Sequence, residues 1–314
     1  MKTENLNYSN HLEFSKNEGK TKQKLLFDET QCVASLYSNC ELIIPQSFYS
    51  DGFIVLDNMD SYNEAQRTLE KFIANIDTRK LPIYSRFLPR IKLAKVDRIP
   101  ICQDLVKATF QALHYDMGQP IISDSTQTMY LIISLYCPKD VVFTKAKTRV
   151  ARIKKLLSQK EWGGNKVLEK KLIDYVKNYG DGWTYPDAVN TMRISCFARI
   201  IDAVSGLNEL TGDIDKTTGQ WFQYEENIND ETGIKNEYEF YKKCGIDLRK
   251  AEEQIKLEPG QLLIIDNLRT VHGRIGKRKP QELYQFMYGI KNATPEDIDI
   301  FREYLLSEFA SNKD

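Results

Sequence analysis

The sequence predicts a mixed α+β fold. A β-core, closed as a double sheet of jelly-roll type, carries packed helices on its flanks. Two observations predict it. Residues 129–137 are nearly all apolar or aromatic, as in a central strand buried on both faces. Strands and helices do not alternate as strand–helix–strand units, which argues against a doubly wound parallel sheet and for a β-core with helices laid on it. Jelly-roll closure is one way to remove the edges that such strands would otherwise expose.

The elements follow in chain order. Residues 1–28 are polar, with little periodicity, and are expected to form an N-terminal arm. Asp51-Gly52 is a turn into a strand at 53–56. Residues 62–76 read as a helix, with Ala65, Leu69, Phe72 and Ile73 on one side. Residues 101–113 read as a second helix, followed by loop or strand end at 114–119. Residues 145–178, rich in Lys, Leu and Ile, read as helices broken at Trp162-Gly163-Gly164. Residues 191–199 alternate as a strand, 205–235 read as loop, and 237–255 as a charged helix. Glu258-Pro259-Gly260 is a turn, 261–266 and 283–290 are strands, and 295–310 is a terminal helix with Thr294 as N-cap and Pro295 at its first position. Residues 29–314 are thus expected to form one domain, with a helical insert at about 145–185 and a loop-rich insert at about 205–257.

Composition narrows the class. Of 314 residues, 41% are hydrophobic, and 44 Lys plus Arg balance 44 Asp plus Glu. Zero formal net charge carries no whole-protein field for nucleic acid or a membrane surface. No run approaches the roughly 20 apolar residues of a membrane span, and the first residues lack the apolar stretch of a signal peptide. None of the six cysteines forms a Cys-x-x-Cys pair. A cytoplasmic protein with free thiols and a small-molecule substrate is the expectation.

The sharpest chemical signal is where the histidines stand. There are three: His11, His114 and His272. His114 precedes an acid by two residues in Leu113-His114-Tyr115-Asp116, and residues i and i+2 of a strand share a face. His272 follows an apolar run and an acidic turn. Two imidazoles and one carboxylate, with positions left open, are the donor set of a non-haem Fe(II) site that activates O2. Zinc competes for the same donors, but its hydrolases more often carry His-Glu-x-x-His or richer histidine sets.

Leu113-His114-Tyr115-Asp116, with Pro259-Gly260-Gln261 leading through an apolar strand to Asp266-Asn267 and then His272-Gly273-Arg274, resembles the Fe(II)/2-oxoglutarate-dependent oxygenases. The nearest branch is the taurine dioxygenase and clavaminate synthase-like group. The resemblance implies a double-stranded β-helix core and His114, Asp116 and His272 as iron ligands. It implies a dioxygenase reaction in which 2-oxoglutarate is decarboxylated to succinate while O2 oxidises, most often hydroxylates, an unactivated C–H bond. The retained Asp116 argues against halogenation.

One departure stands out. The family places an arginine ten to fifteen residues after the distal histidine, to pair with the far carboxylate of 2-oxoglutarate. Here Phe286 stands near that point, in a strand without Arg or Lys. A carboxylate in a dry pocket needs a cation or several donors. Three alternatives follow. Another cation takes over, from Arg274, Arg278, Arg193 or Arg199. Neutral groups such as Gln285, Tyr284 or Tyr288 bind it. Or the enzyme is an Fe(II)-dependent oxidase that does not use 2-oxoglutarate. A non-catalytic metal-binding protein of the same fold is a further alternative. Arg274 is equally a candidate partner for Asp266. The basic run Lys145, Lys147, Arg149, Arg152, Lys154 and Lys155 reads as a solvated helix face. Asp213, Asp215, Glu225 and Glu226 in the long loop are candidates to recognise a cationic substrate such as a basic amino acid.

Overall fold

The computed structural model describes residues 33–35, 43–99, 110–116, 127–141, 146–159, 161–179, 194–207, 230–277, 282–294 and, beyond these, 296, 297, 299, 300, 303 and 304. The N-terminal arm, Arg193, Arg278 and the acidic loop fall outside them.

Two sheets form the centre. The larger has the order β1 (Val33–Ser35), β2 (Phe53–Asp57), β9 (Leu262–Asp266), β5 (Gln127–Tyr136), β11 (Leu283–Ala293), β3 (Lys92–Ile99). The smaller has the order β7 (Ile194–Cys196), β4 (Phe110–Asp116), β10 (Thr270–Ile275), β6 (Lys147–Arg152), β8 (Glu252–Ile255). All pairings are antiparallel except that of β1 with β2. The sheets stack face to face. Val150 of the smaller sheet packs in one apolar cluster with Phe53, Val55, Leu135, Leu263, Ile265 and Leu283 of the larger. Each such side chain contributes roughly 1.5–3 kcal/mol when fully buried.

The outer face of the larger sheet is closed by α1 (Gln46–Asp51), α2 (Tyr62–Ala74) and α3 (Tyr84–Phe87). Ser61 caps α2 by accepting the Glu64 N–H at 3.2 Å. Its apolar stripe, Ala65, Leu69, Phe72 and Ile73, meets Ile54, Leu56, Ile132 and Ile264, in the register that the 3.6-residue period predicts. The smaller sheet is covered by α4 (Ile153–Leu157), α6 (Phe197–Ser205) and α7 (Asp230–Lys243), while α5 (Lys166–Tyr179) packs on α6.

The strand expected at 129–137, those at 53–56, 261–266 and 283–290, and the helix at 62–76 are observed within a few residues. At the chain end, Thr294 exchanges hydrogen bonds with Asp297 as expected of an N-cap, its Oγ1 accepting the Asp297 N–H at 3.3 Å.

Four expectations are corrected. Residues 110–113 form a strand and not a helix: they belong with 114–116 to β4, so the strand end is the alternative observed after 113. Residues 147–152 form β6, because they pair on both sides with β10 and β8. The strand at 191–199 is described only over 194–196, after which α6 begins; Arg199 therefore lies in a helix and not on a strand. The helix at 237–255 ends at Lys243, and 252–255 pairs with β6 as β8.

The corner between β9 and β10 carries the chain from one sheet to the other. The Asp266 carboxylate accepts the Leu268 N–H at 3.0 Å and the Arg269 Nε at 2.6 Å. Arg269 also donates to the carbonyls of Tyr49 (2.6 Å) and Phe48 (2.8 Å), at the C-terminal end of α1. Arg269, 1% exposed, and Asp266, 0% exposed, are a buried pair whose partners are all satisfied at the corner. Removing one member of such a pair leaves an uncompensated charge and costs about 3–5 kcal/mol. Arg269→Met should lower stability by that amount in urea unfolding. A loss below about 1 kcal/mol would show that the corner holds without the pair.

Candidate functional site

The site is built where β4 and β10 pair. His272 stands opposite His114, and Val150 of β6 stands opposite His272 on the other side. Val150 lies in the cluster between the sheets, so this row of three faces the interior. The two imidazoles lie 4.5 Å apart between ring centroids, tilted by 51°. His114 is 1% exposed and His272 7%. Two histidines far apart in the chain are thus neighbours on one face because their strands are adjacent and in register.

The pairing is interrupted immediately beside them. His272 faces His114, but Arg274 faces Gln111. One residue of β10, Gly273, therefore spans two of β4, Ala112 and Leu113, which is a β-bulge. A side chain at 273 would not fit: a Cβ there would stand 2.5 Å from the Gln111 carbonyl oxygen and 2.9 Å from that of Ala112. The glycine of His272-Gly273-Arg274 is required by this close approach.

The bulge fixes the His114 ring. Its Nδ1 lies 2.8 Å from the Ala112 carbonyl oxygen. A carbonyl only accepts, so Nδ1 carries the proton. Its Nε2 lies 3.1 Å from the Gln111 side-chain amide nitrogen. That nitrogen only donates, so Nε2 holds a lone pair. Both contacts select one tautomer, in which Nε2 keeps its lone pair and the Nδ1–H is held by the backbone.

Asp116 lies two residues beyond His114 in β4 and pairs with Ile194 of β7; its side chain is outside the described residues. Among the described residues no group of three His, Cys, Asp or Glu side chains gathers at one point.

Arg274, 5% exposed, lies two residues beyond His272 and opposite Thr148 of β6. It is not the partner of Asp266; Arg269 takes that place. Gln285, 9% exposed, stands opposite Leu135 in the larger sheet, on the strand face that Leu283 turns toward the smaller sheet. Phe286 is on the opposite face, against the Tyr62 ring of α2. Tyr284 and Tyr288 share that outer face. Tyr284 accepts from Arg98 at 2.7 Å, and Tyr288 donates to Glu70 of α2 at 3.1 Å. Burial, with Glu70 beside it, pushes the Tyr288 phenol well above its ordinary range. Neither tyrosine reaches the face that carries the histidines.

Sequence reasoning missed a group behind the site. Arg149 is fully buried, and its expected place on a solvated helix face is corrected: it lies on the helix-covered face of β6. It donates to Glu237 of α7 at 2.5 Å and to Glu252 of β8 at 2.5 Å. The Tyr238 hydroxyl donates to Glu252 at 2.6 Å; burial and this carboxylate push its pKa up to about 12. Burial also raises the Glu237 carboxyl, opposed by the Arg149 charge.

No family model matches the chain, and no curated protein sequence matches it. Among solved structures, the chain is similar to PvcB from Pseudomonas aeruginosa, at 12% identity and TM-score 0.35, over 78% of this chain and 80% of that one. It is similar to asparagine oxygenase at 13% identity and TM-score 0.34, over 79% and 76%. It is similar to a taurine dioxygenase from Burkholderia xenovorans at 8% identity and TM-score 0.32, over 85% and 91%.

The bulge yields a prediction. Gly273→Ala places its Cβ against two backbone oxygens that cannot swing aside. It should cost about 1–3 kcal/mol and lower the thermal midpoint by several degrees. An unchanged midpoint would mean that β10 does not close on the bulge as described.

Proposed function

We propose that this chain is an Fe(II)- and 2-oxoglutarate-dependent oxygenase, with His114, Asp116 and His272 as the metal ligands. The observation that carries the reading is the in-register placement of His114 beside His272 on one interior face. The donor chemistry fits. His114 is held in the tautomer that frees Nε2, and the Gln111 amide at that nitrogen is the partner a cation would displace. Two imidazoles and a carboxylate suit Fe(II) and leave positions for O2 and a co-substrate. The stacking of two largely antiparallel sheets supports a double-stranded β-helix, with residues 29–314 as one oxygenase domain.

The chain's own residues have distinct tasks. His114 and His272 hold the cation from two adjacent strands, and Asp116 completes the set from the strand of His114. Arg274, on the strand of His272, is the cation assigned to the far carboxylate of 2-oxoglutarate. Gln285, on the facing sheet, adds a neutral donor. The apolar cluster between the sheets keeps water away from one end of the site. Iron, when bound, supplies the O2 chemistry that oxidises a C–H bond. The substrate is a small molecule, with an amino acid or natural-product intermediate as the leading class. No helix among the described residues is long and apolar enough to cross a membrane, which is compatible with the cytoplasmic setting proposed here. A second reading, an oxidase that does not use 2-oxoglutarate, is favoured by β11, whose inward residues Leu283, Gln285 and Met287 carry no charge.

Metal analysis and O2 uptake test the assignment. The wild-type chain should bind one Fe(II), and His272→Ala should abolish stoichiometric binding. Asp116→Gly should remove most of the oxygenation; full activity would contradict its role. Succinate should form in step with O2 uptake. Arg274→Leu should raise the Michaelis constant for 2-oxoglutarate at least about tenfold, as expected for the loss of a charge-assisted contact. O2 uptake that ignores 2-oxoglutarate would favour the oxidase.

A further inference from the structure

The buried charges behind the smaller sheet are connected to His114 through one peptide group. The Ala112 carbonyl accepts the His114 Nδ1–H at 2.8 Å. The Leu113 N–H, the other end of the same peptide, donates to Glu237 Oε1 at 2.8 Å. A trans peptide points its C=O and N–H in opposite directions. Here one points into the site and the other out to α7. The bulge makes this possible, because it withdraws residues 112 and 113 from regular pairing with β10.

We infer that Glu237 is a positioning residue for His114, acting through the Ala112–Leu113 peptide as a relay from carboxylate to imidazole. The inference rests on the reading of His114 as a metal ligand. Carboxylates commonly accept the second N–H of a metal-bound histidine directly, fixing its tautomer and raising its basicity. Here a peptide stands between the two. An anion on the N–H polarises the amide and strengthens its carbonyl as an acceptor.

The surroundings are built to hold Glu237 in place. The helix comes close to β4 at Gly233, where a Cβ would stand 2.4 Å from the Phe110 ring. One turn later Glu237 lies over Leu113. Its second oxygen accepts from Arg149 at 2.5 Å, and Arg149 stands opposite Gly273, the residue that closes the bulge. Glu237 is 0% exposed. The expense of burying its charge is met by Arg149 and the Leu113 N–H together.

The relay separates Glu237 from Glu252. Both share Arg149, and both are buried, but only Glu237 touches the bulge. The test uses the full chain labelled with 15N-histidine, metal-free at alkaline pH, with the His114 ring signals assigned by their loss in His114→Asn. Wild type should show the Nδ1–H tautomer. Glu237→Ala should convert it to a mixture. Glu237→Gln keeps an acceptor for Leu113 but loses the charge. It should retain the tautomer and weaken Fe(II) binding by about 10–100-fold. Glu252→Gln should leave the tautomer unchanged and shift Fe(II) affinity less than about threefold, well under that range. An Nε2–H tautomer in wild type, or equal losses of affinity in Glu237→Gln and Glu252→Gln, would overturn the relay. Should the Glu237 variants fail to fold, the wild-type tautomer and a downfield, exchange-protected Leu113 amide proton decide the matter. A wild-type chain that binds no Fe(II) but shows the expected tautomers would sink the metal assignment, and with it the task given to Glu237, while leaving its hold on the His114 tautomer in place.

Discussion

The register of β4 against β10 is the constraint on which the rest depends. A strand alternates its faces with a period of two, so a slip of one residue would turn His272 away from His114. Several features pin that register. Gly273 lets the carbonyls of the bulge come close. On its far side β10 pairs residue for residue with β6, from Thr270 opposite Arg152 to Ile275 opposite Lys147. At its start, the Asp266–Arg269 corner fixes where the chain leaves the larger sheet. The bulge then does two things at once. It breaks the ladder beside the histidines, and it turns a backbone carbonyl onto one of them.

That arrangement explains why so much charge is buried behind the smaller sheet. Replacing a buried ion cluster with apolar residues is often neutral or stabilising, so stability alone is a weak reason to keep Arg149, Glu237 and Glu252. A bulged strand, however, leaves a buried N–H without its ladder partner. Leaving such a group unmet costs about 1–3 kcal/mol. Glu237 meets it, Arg149 pairs with Glu237 in a dry setting, and Glu252 with the Tyr238 hydroxyl completes the set. Each member is needed because of the one before it, and the first is the bulge.

How far the sequence revealed this varied with the physics of each segment. Central strands such as 129–136 were legible because they are buried on both sides and read as continuous apolar runs. The turn at Asp266-Asn267 and the two histidines were legible as local text, but Arg269 as the partner of Asp266 was not. Other strands were not. Phe110 and Leu113 have helical spacing because the bulge inserts a residue and spoils the alternation. Residues 147–152 carry Lys147, Arg149 and Arg152 and look solvated, yet Arg149 is buried because carboxylates from α7 and β8 converge on it. Residues 252–255 are charged because β8 is an edge strand. In each case a long-range partner overrides local propensity, and no spacing within the segment names that partner.

The same alternation decides what Phe286 means. Counting residues from His272 places it where the oxygenases that the sequence motifs resemble carry an arginine, which makes its apolar side chain look like a lost anchor. In the fold, residues 284, 286 and 288 of β11 face the helices, where Tyr284, Phe286 and Tyr288 pack against α2 and its neighbours. A cation at 286 would enter that apolar layer and never reach the histidines. Only 283, 285 and 287 face the interior, and these are Leu, Gln and Met. The question of a carboxylate anchor therefore moves off β11. Among the described residues, Arg274 stands two positions beyond His272 on the same strand. An anchor there would lie on the same sheet as His114 and His272, not opposite them. A co-substrate would then be held along β10 instead of across the interior.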